Sequence, residues 1–217
     1  FFDFWSKKTN AKEIISFGYQ DYSDFKVSDI EIDIINNSTN FYLRFDGKKE
    51  KFYINGASHH SPLNAALSVA TALYCGCPLS NIKERLKFID LPERRLGISN
   101  SLRGSILIDD SYNSNPASLK NAVDSLEGIK RKKVCILGDM KELGSDSQQI
   151  HQEMYEYISE RVDQILCIGD EWSTCSPNEK QDLCIFENQD DLYSHLISII
   201  DNKTILLVKG SRSTRMD

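Results

Sequence analysis

The chain has 217 residues, 40% hydrophobic and 27% charged, with 26 Lys+Arg against 32 Asp+Glu and a formal net charge of −6. That is the composition of a soluble globular protein with room for one large domain or two small ones. The acidic balance argues against nucleic acid as the main partner, since a phosphate-binding face carries a basic excess. No apolar run approaches the ~20 residues that span a bilayer, so no membrane insertion is expected.

The opening run Phe1-Phe-Asp-Phe-Trp5 is apolar but too short and too acidic for a signal peptide. With no initiator methionine, the sequence is expected to be a piece of a longer chain. Glu13–Phe17 and Val27–Ile35 read as short strands, and Phe41–Phe45 alternates. Asp46-Gly47 is a hairpin turn signal before Glu50–Ile54. Pro62–Tyr74 is rich in alanine and leucine and predicts a buried helix ending at Gly76. A shorter helix is expected over Ser80–Lys87, with Ser80 as its cap. Leu91–Arg95 is a proline-broken basic turn. Polar residues and glycines over Leu96–Arg103 then mark a boundary and candidate hinge, giving domains 1–98 and 99–217.

Beyond the boundary the alternation is regular. Apolar strands are expected at 105–109, 133–137, 163–168, 183–186 and 204–208. Helices are expected at 116–127, 146–160 and 189–201, and 171–181 has no clear pattern. The fold class is therefore α/β: a mostly parallel sheet covered on both faces, preceded by a β-rich and helical segment. None of the six cysteines forms a C-x-x-C pair, and Cys135 and Cys167 lie in strand-like runs, which fits free thiols in a reducing cytoplasm. His59, His60, Cys75 and Cys77 match no zinc-finger spacing, and no metal site is assigned.

Polar groups follow three of the strands: Asp109 to Asn115, the loop Leu137-Gly-Asp-Met-Lys-Glu-Leu-Gly144, and Val208-Lys-Gly-Ser-Arg212. In the first, Asn115-Pro116 reads as an N-cap followed by proline at the first helical position. In a parallel sheet all three share the carboxyl edge, where open α/β sheets bind ligands. Carboxylates, amides and cations would converge there, as a zwitterionic or nucleotide ligand requires. Each also has a plainer reading as a turn residue or a solvated charge. His151 and His195 lie in helical patterns and read as core or surface side chains. The chain contains no G-x-x-x-x-G-K-[ST] phosphate loop and no G-x-G-x-x-G turn after a strand.

Ile108 to Pro116, Leu137 to Gly144 and Val208 to Arg212, with His151 following the second loop, resemble the Mur ligases. They are most similar to the MurF type, which adds D-alanyl-D-alanine to UDP-N-acetylmuramoyl-tripeptide. The resemblance implies a bacterial, cytoplasmic, ATP-dependent ligase of peptidoglycan precursor synthesis that uses ATP and Mg2+ and works through an acyl phosphate. It implies an α/β fold in which 1–98 is the later part of the ATP-binding central domain and 99–217 the Rossmann-like, mostly parallel C-terminal domain. The phosphate loop and magnesium-binding glutamate would lie outside this sequence, leaving the 217-residue chain inactive alone.

Carried over residue by residue, the resemblance places His60, Asn64, Arg95 and Asp110 at the nucleotide. Here Ser61 stands where the family has an asparagine, and Glu93-Arg94 replaces the family's residues before Arg95. Asn64 would face adenine, Arg95 the phosphates and Asp110 the ribose. Tyr112, Asn113 and Asn115 would contact the incoming dipeptide, and Lys209, Ser211 and Arg212 would lie near its carboxylate. No side-chain nucleophile is needed, and none is assigned. Two alternatives are a signalling receiver, which also has an acidic pair after its first strand and a lysine after its last, and a folate-polyglutamating relative.

Overall fold

Alternating apolar and polar side chains between Phe25 and Asn55 build the first of two sheets, in a computed structural model that describes residues 2–34, 36–57, 61–89, 96–177 and 183–216. The chain divides into two compact units, Phe1–Asp90 and Leu91–Asp217.

In the first unit a short helix α1 (Phe2–Ser6) precedes β1 (Phe17–Gly18), β2 (Phe25–Asp33), β3 (Ser38–Phe45) and β4 (Lys48–Asn55), which lie side by side in that order. β1 and β2 run parallel and the other pairs antiparallel. The hairpin expected at Asp46-Gly47 forms, and both residues have positive φ, 48° and 70°, as a two-residue type I′ turn requires. The sheet's inner face stacks Phe41 on Phe52 and Phe25 on Phe45, with centroids 5.6 and 5.1 Å apart. Helices α2 (Ser61–Tyr74) and α3 (Leu79–Leu86) close this core with Ala66, Val69, Ile82 and Leu86.

Gly76, at φ 82°, ends α2. Its N–H bonds to the Leu73 carbonyl and that of Cys77 to the Ala72 carbonyl, the paired bonds of a Schellman motif. Two local expectations fail here. Glu13–Ser16 is not strand, and only Phe17–Gly18 pairs. Ser80 does not cap α3: extended Pro78 holds the cap position, and its carbonyl receives the Asn81 and Ile82 N–H groups.

The second unit contains β5 (Gly97–Asn100), β6 (Ile106–Asp110), α4 (Pro116–Asp124), β7 (Lys132–Gly138), α5 (Ser147–Ser159), β8 (Gln164–Ile168), α6 (Asp170–Ser173), β9 (Leu183–Phe186), α7 (Gln189–Ile199) and β10 (Thr204–Lys209). The strand order is β5-β6-β10-β7-β8-β9. All pairs are parallel except the antiparallel edge strand β5. Strand alternation splits the core: Val134, Ile136, Leu166 and Leu206 pack with Leu192 and Leu196 of α7. Cys135, Cys167 and Leu207 point to the opposite face, which α4 and α5 cover.

Strand β5 removes Gly97–Asn100 from the expected boundary and hinge, because those residues are bonded in register to Asn100↔Ile106 through Gly97↔Asp109. The observed division falls between the units at 90 and 91. The strand order also disposes of the receiver alternative. A receiver sheet places its second strand beside its first on the outside, whereas here the last strand, β10, lies between the first two parallel strands.

Candidate functional site

Inserting β10 between β6 and β7 brings the three polar strand ends together. Lys209 is in register with Asp110 on one side and Leu137 on the other. The loops that follow these residues therefore leave the sheet side by side, at its topological switch point. They enclose an open cleft of about 890 Å³, lined by residues of the Tyr112–Asn115, Lys141–Leu143 and Ser211–Arg215 segments.

Lys209 and Asp110 tie two of the loops. The Lys209 ammonium is 2% exposed and donates to the Asp110 carboxylate and, at 2.9 Å, to the Asn113 carbonyl. The other Asp110 oxygen accepts from the Leu96 N–H at 3.2 Å. Burial pushes the Asp110 carboxyl above the usual carboxylate range, and Lys209 pulls it part of the way back. Neither residue is among those that line the cleft. Lys209 was expected near a ligand carboxylate; instead its donors are used within the protein.

The first loop turns tightly. Ser111 donates to Asp109 through both its N–H, at 3.0 Å, and its hydroxyl, at 2.6 Å. Asn115 then caps α4: its side chain accepts from Ser118 N–H at 2.8 Å, the Ser118 hydroxyl returns to the Asn115 backbone, and Pro116 takes the first helical position. Asn115 lines the cleft with its amide oxygen already committed. Tyr112 and Asn113 are exposed on the wall, and the Arg212 guanidinium lies 5.8 Å from the Tyr112 ring centroid.

The third loop packs against the second almost without side chains. A Cβ on Gly210 would fall 2.6 Å from the Thr214 hydroxyl and 3.1 Å from the Gly138 Cα. The Ser211 N–H reaches the Asp139 carbonyl at 3.1 Å, and the Ser211 hydroxyl accepts from Lys141 N–H at 2.8 Å. Glu142 and Arg215 on the cleft wall, and Leu96 against Asp110, all hold positive φ without being glycine. Such backbone strain collects at ligand sites.

Several cleft residues were not singled out from sequence: Ser114, Lys141, Glu142 and Arg215. Lys141 had a signal in its place within the glycine-flanked loop. His60 and Arg95, like His59, lie outside the described residues. Asn64 is exposed in the first turns of α2 in the first unit, and its carbonyl accepts from Ser68. Among the described residues no three His, Cys, Asp or Glu side chains group to hold a metal ion. No helix among them is long and apolar enough to cross a membrane.

Residues 94–212 match the family described as "Mur ligase, glutamate ligase domain". The chain is 28% identical over 222 residues to the UDP-N-acetylmuramoyl-tripeptide–D-alanyl-D-alanine ligase of Haemophilus influenzae, covering 99% of this chain and 47% of the relative. It is 31% identical over 224 residues to the ligase of that name from Buchnera aphidicola, covering 100% of this chain and 48% of the relative. Among solved structures, a MurF from Acinetobacter baumannii superimposes with a TM-score of 0.81 at 29% identity, over 94% of this chain and 45% of that one. The chain thus spans about half the length of the curated relatives it matches.

Proposed function

The chain belongs to the Mur ligase family, and from that premise we propose that it is the part of an ATP-dependent ligase that receives D-alanyl-D-alanine for addition to UDP-N-acetylmuramoyl-tripeptide. The observation that carries the reading is the convergence of three strand-end loops at the β6–β10–β7 switch point on one polar cleft. Similarity to bacterial ligases of that name supports the substrate, and a cytoplasmic place of work is what the resemblance implies.

In this reading the tripeptide carboxylate is phosphorylated by ATP to an acyl phosphate. The dipeptide amine attacks it, and the tetrahedral adduct expels phosphate. This chain's share is to hold the amine donor in line, a contribution of position rather than of a nucleophile. Arg212 meets the dipeptide carboxylate, with the Ser211 N–H and hydroxyl holding the adjoining loop. Tyr112, Asn113 and the free amide hydrogens of Asn115 line the remainder. Lys209 acts from behind, fixing Asn113 through its carbonyl. Asp110 keeps unused lone pairs for a ribose hydroxyl, and the resemblance assigns His60, Asn64 and Arg95 to the nucleotide. ATP brings magnesium in this family, and the described residues offer no group of three His, Cys, Asp or Glu side chains to hold it.

Calorimetric titration with D-alanyl-D-alanine tests the reading. Saturable binding is expected, lost in Arg212→Ala and absent for L-alanyl-L-alanine. Equal binding of both stereoisomers, or none of either, refutes it. With no phosphate loop in its sequence, the 217-residue chain alone is expected to hydrolyse no ATP.

A further inference from the structure

From Gly138 to Lys141, each successive residue is held by a group outside the loop. Trp172 Nε1 donates to the Gly138 carbonyl at 3.0 Å. Asp139 and Lys141 are bonded to Ser211 as described. The Met140 N–H donates to His151 Nε2 at 3.0 Å. Packing explains three of these positions well enough, but it does not call for an imidazole. His151 is fully buried on α5 among Met154, Tyr155 and Trp172. An apolar side chain of similar size would fill its place and leave the buried Met140 N–H without an acceptor.

The geometry also fixes the state of the ring. His151 Nδ1 lies 2.8 Å from the Ser147 carbonyl oxygen, which can only accept. The ring proton is therefore on Nδ1, and the Nε2 lone pair faces Met140. Trp172 meets the ring edge-on, centroids 4.8 Å apart at 86°, and sets its plane. The ring thus connects the first turn of α5 to the loop that leaves β7.

What that loop delivers is Lys141. Its ammonium stands at the cleft, 2.8 Å from the carboxylate of Asp139, itself only 2% exposed. The hydrogen bond that it donates to Asp139 raises the Lys141 ammonium above the usual lysine range, so Lys141 serves as a standing positive charge rather than a base.

We propose that His151 is a positioning residue which, through the Met140 N–H, holds the 139–143 loop so that Lys141 contacts the carboxylate of a short peptide in the cleft. The proposal rests on the reading of the cleft as the dipeptide site. It assigns a binding role to Lys141 and a supporting one to His151.

The test uses three variants of the chain, His151→Leu, His151→Gln and Lys141→Met, with two readouts. The first is amide hydrogen exchange without ligand. In His151→Leu the Met140 and Lys141 amides should exchange about tenfold faster or more, while β7 and β8 amides keep their protection. Glutamine offers both an acceptor and a donor, and His151→Gln should stay within about threefold of the parent. Unchanged exchange in His151→Leu, or equal loss across β7 and β8, overturns the positioning role. The second readout is the affinity for D-alanyl-D-alanine against its C-terminal amide. The parent should favour the free acid by about tenfold, and Lys141→Met and His151→Leu should lose that preference. An undiminished preference in both variants overturns the Lys141 contact. If the parent binds neither form, the dipeptide reading of the cleft fails, and the exchange data still decide whether His151 holds the loop.

Discussion

Replacing Lys209 by methionine should destabilise the second unit from beneath the cleft. Methionine fills a similar volume but removes the ammonium, which is 2% exposed, from an Asp110 side chain that is 14% exposed. The carboxylate would keep only the Leu96 N–H. Breaking a buried pair by removing one partner costs about 3–5 kcal/mol, or a fall in Tm of roughly 10–20 °C for a unit of this size. Tryptophan emission follows the event cleanly, since Trp172 is fully buried in the second unit whereas Trp5, in the first, is already 64% exposed. The pH dependence has a definite sign. Burial raises the Asp110 carboxyl and Lys209 lowers it, so Lys209→Met raises it further. A carboxyl whose folded pKa exceeds its unfolded one binds more protons folded, and its contribution to stability falls as pH rises through that pKa. The deficit of Lys209→Met should accordingly be full near neutrality and shrink on acidification through the raised carboxylate range. Adding Asp110→Asn should recover about 2 kcal/mol or more, because no buried charge is then left alone. A Lys209→Met chain within about 1 kcal/mol of the parent, or a double variant no better than the single, would falsify the assignment of this pair as the tie beneath the cleft.

Three further outcomes are expected. Asn115→Ala removes the α4 cap and should cost about 1 kcal/mol in urea denaturation, with Asn115→Ser restoring most of it. Gly210→Ala places a methyl 2.6 Å from both the Thr214 hydroxyl and the Met216 side chain. The 212–216 turn must move, and amide shifts at Ser211–Arg215 should change while β8 shifts do not. Cys75 and Cys77 are exposed, and both should react with a thiol reagent in the native chain at neutral pH. Cys135, pushed up to about 12, and Cys175, pushed up to about 11, should label only on unfolding, as mass spectrometry of the modified peptides will show.

How much of this could be read beforehand divides along a physical line. Continuous apolar runs such as Val134-Cys-Ile-Leu137 and Ile205-Leu-Leu-Val208 announce themselves as strands because both their faces are buried. The edge strand Gly97-Ile-Ser-Asn100 does not: it buries little and has a glycine and two polar residues, so it reads as linker. Strand order is silent in periodicity, which is why the place of β10 emerged only in three dimensions. The convergence of the three loops followed from parallel alternation alone. The division of labour among their residues did not. Lys209 and Lys141 look alike as cations after strands, yet one is buried against Asp110 and the other stands at the cleft wall. That difference is one of burial, set by which loop each lysine begins and by what packs over it.

The central position of β10 has a consequence for how the protein is made. On the ribosome, β6 emerges about a hundred residues before the strand that joins it to β7, and β7 about seventy, as the spans from Asp110 and Leu137 to Lys209 show. Until β10 arrives, both carry an unpaired inner edge rich in apolar side chains, a template for pairing with another chain. The sheet of the second unit, and the cleft at its edge, therefore cannot be completed before β10 has been synthesised.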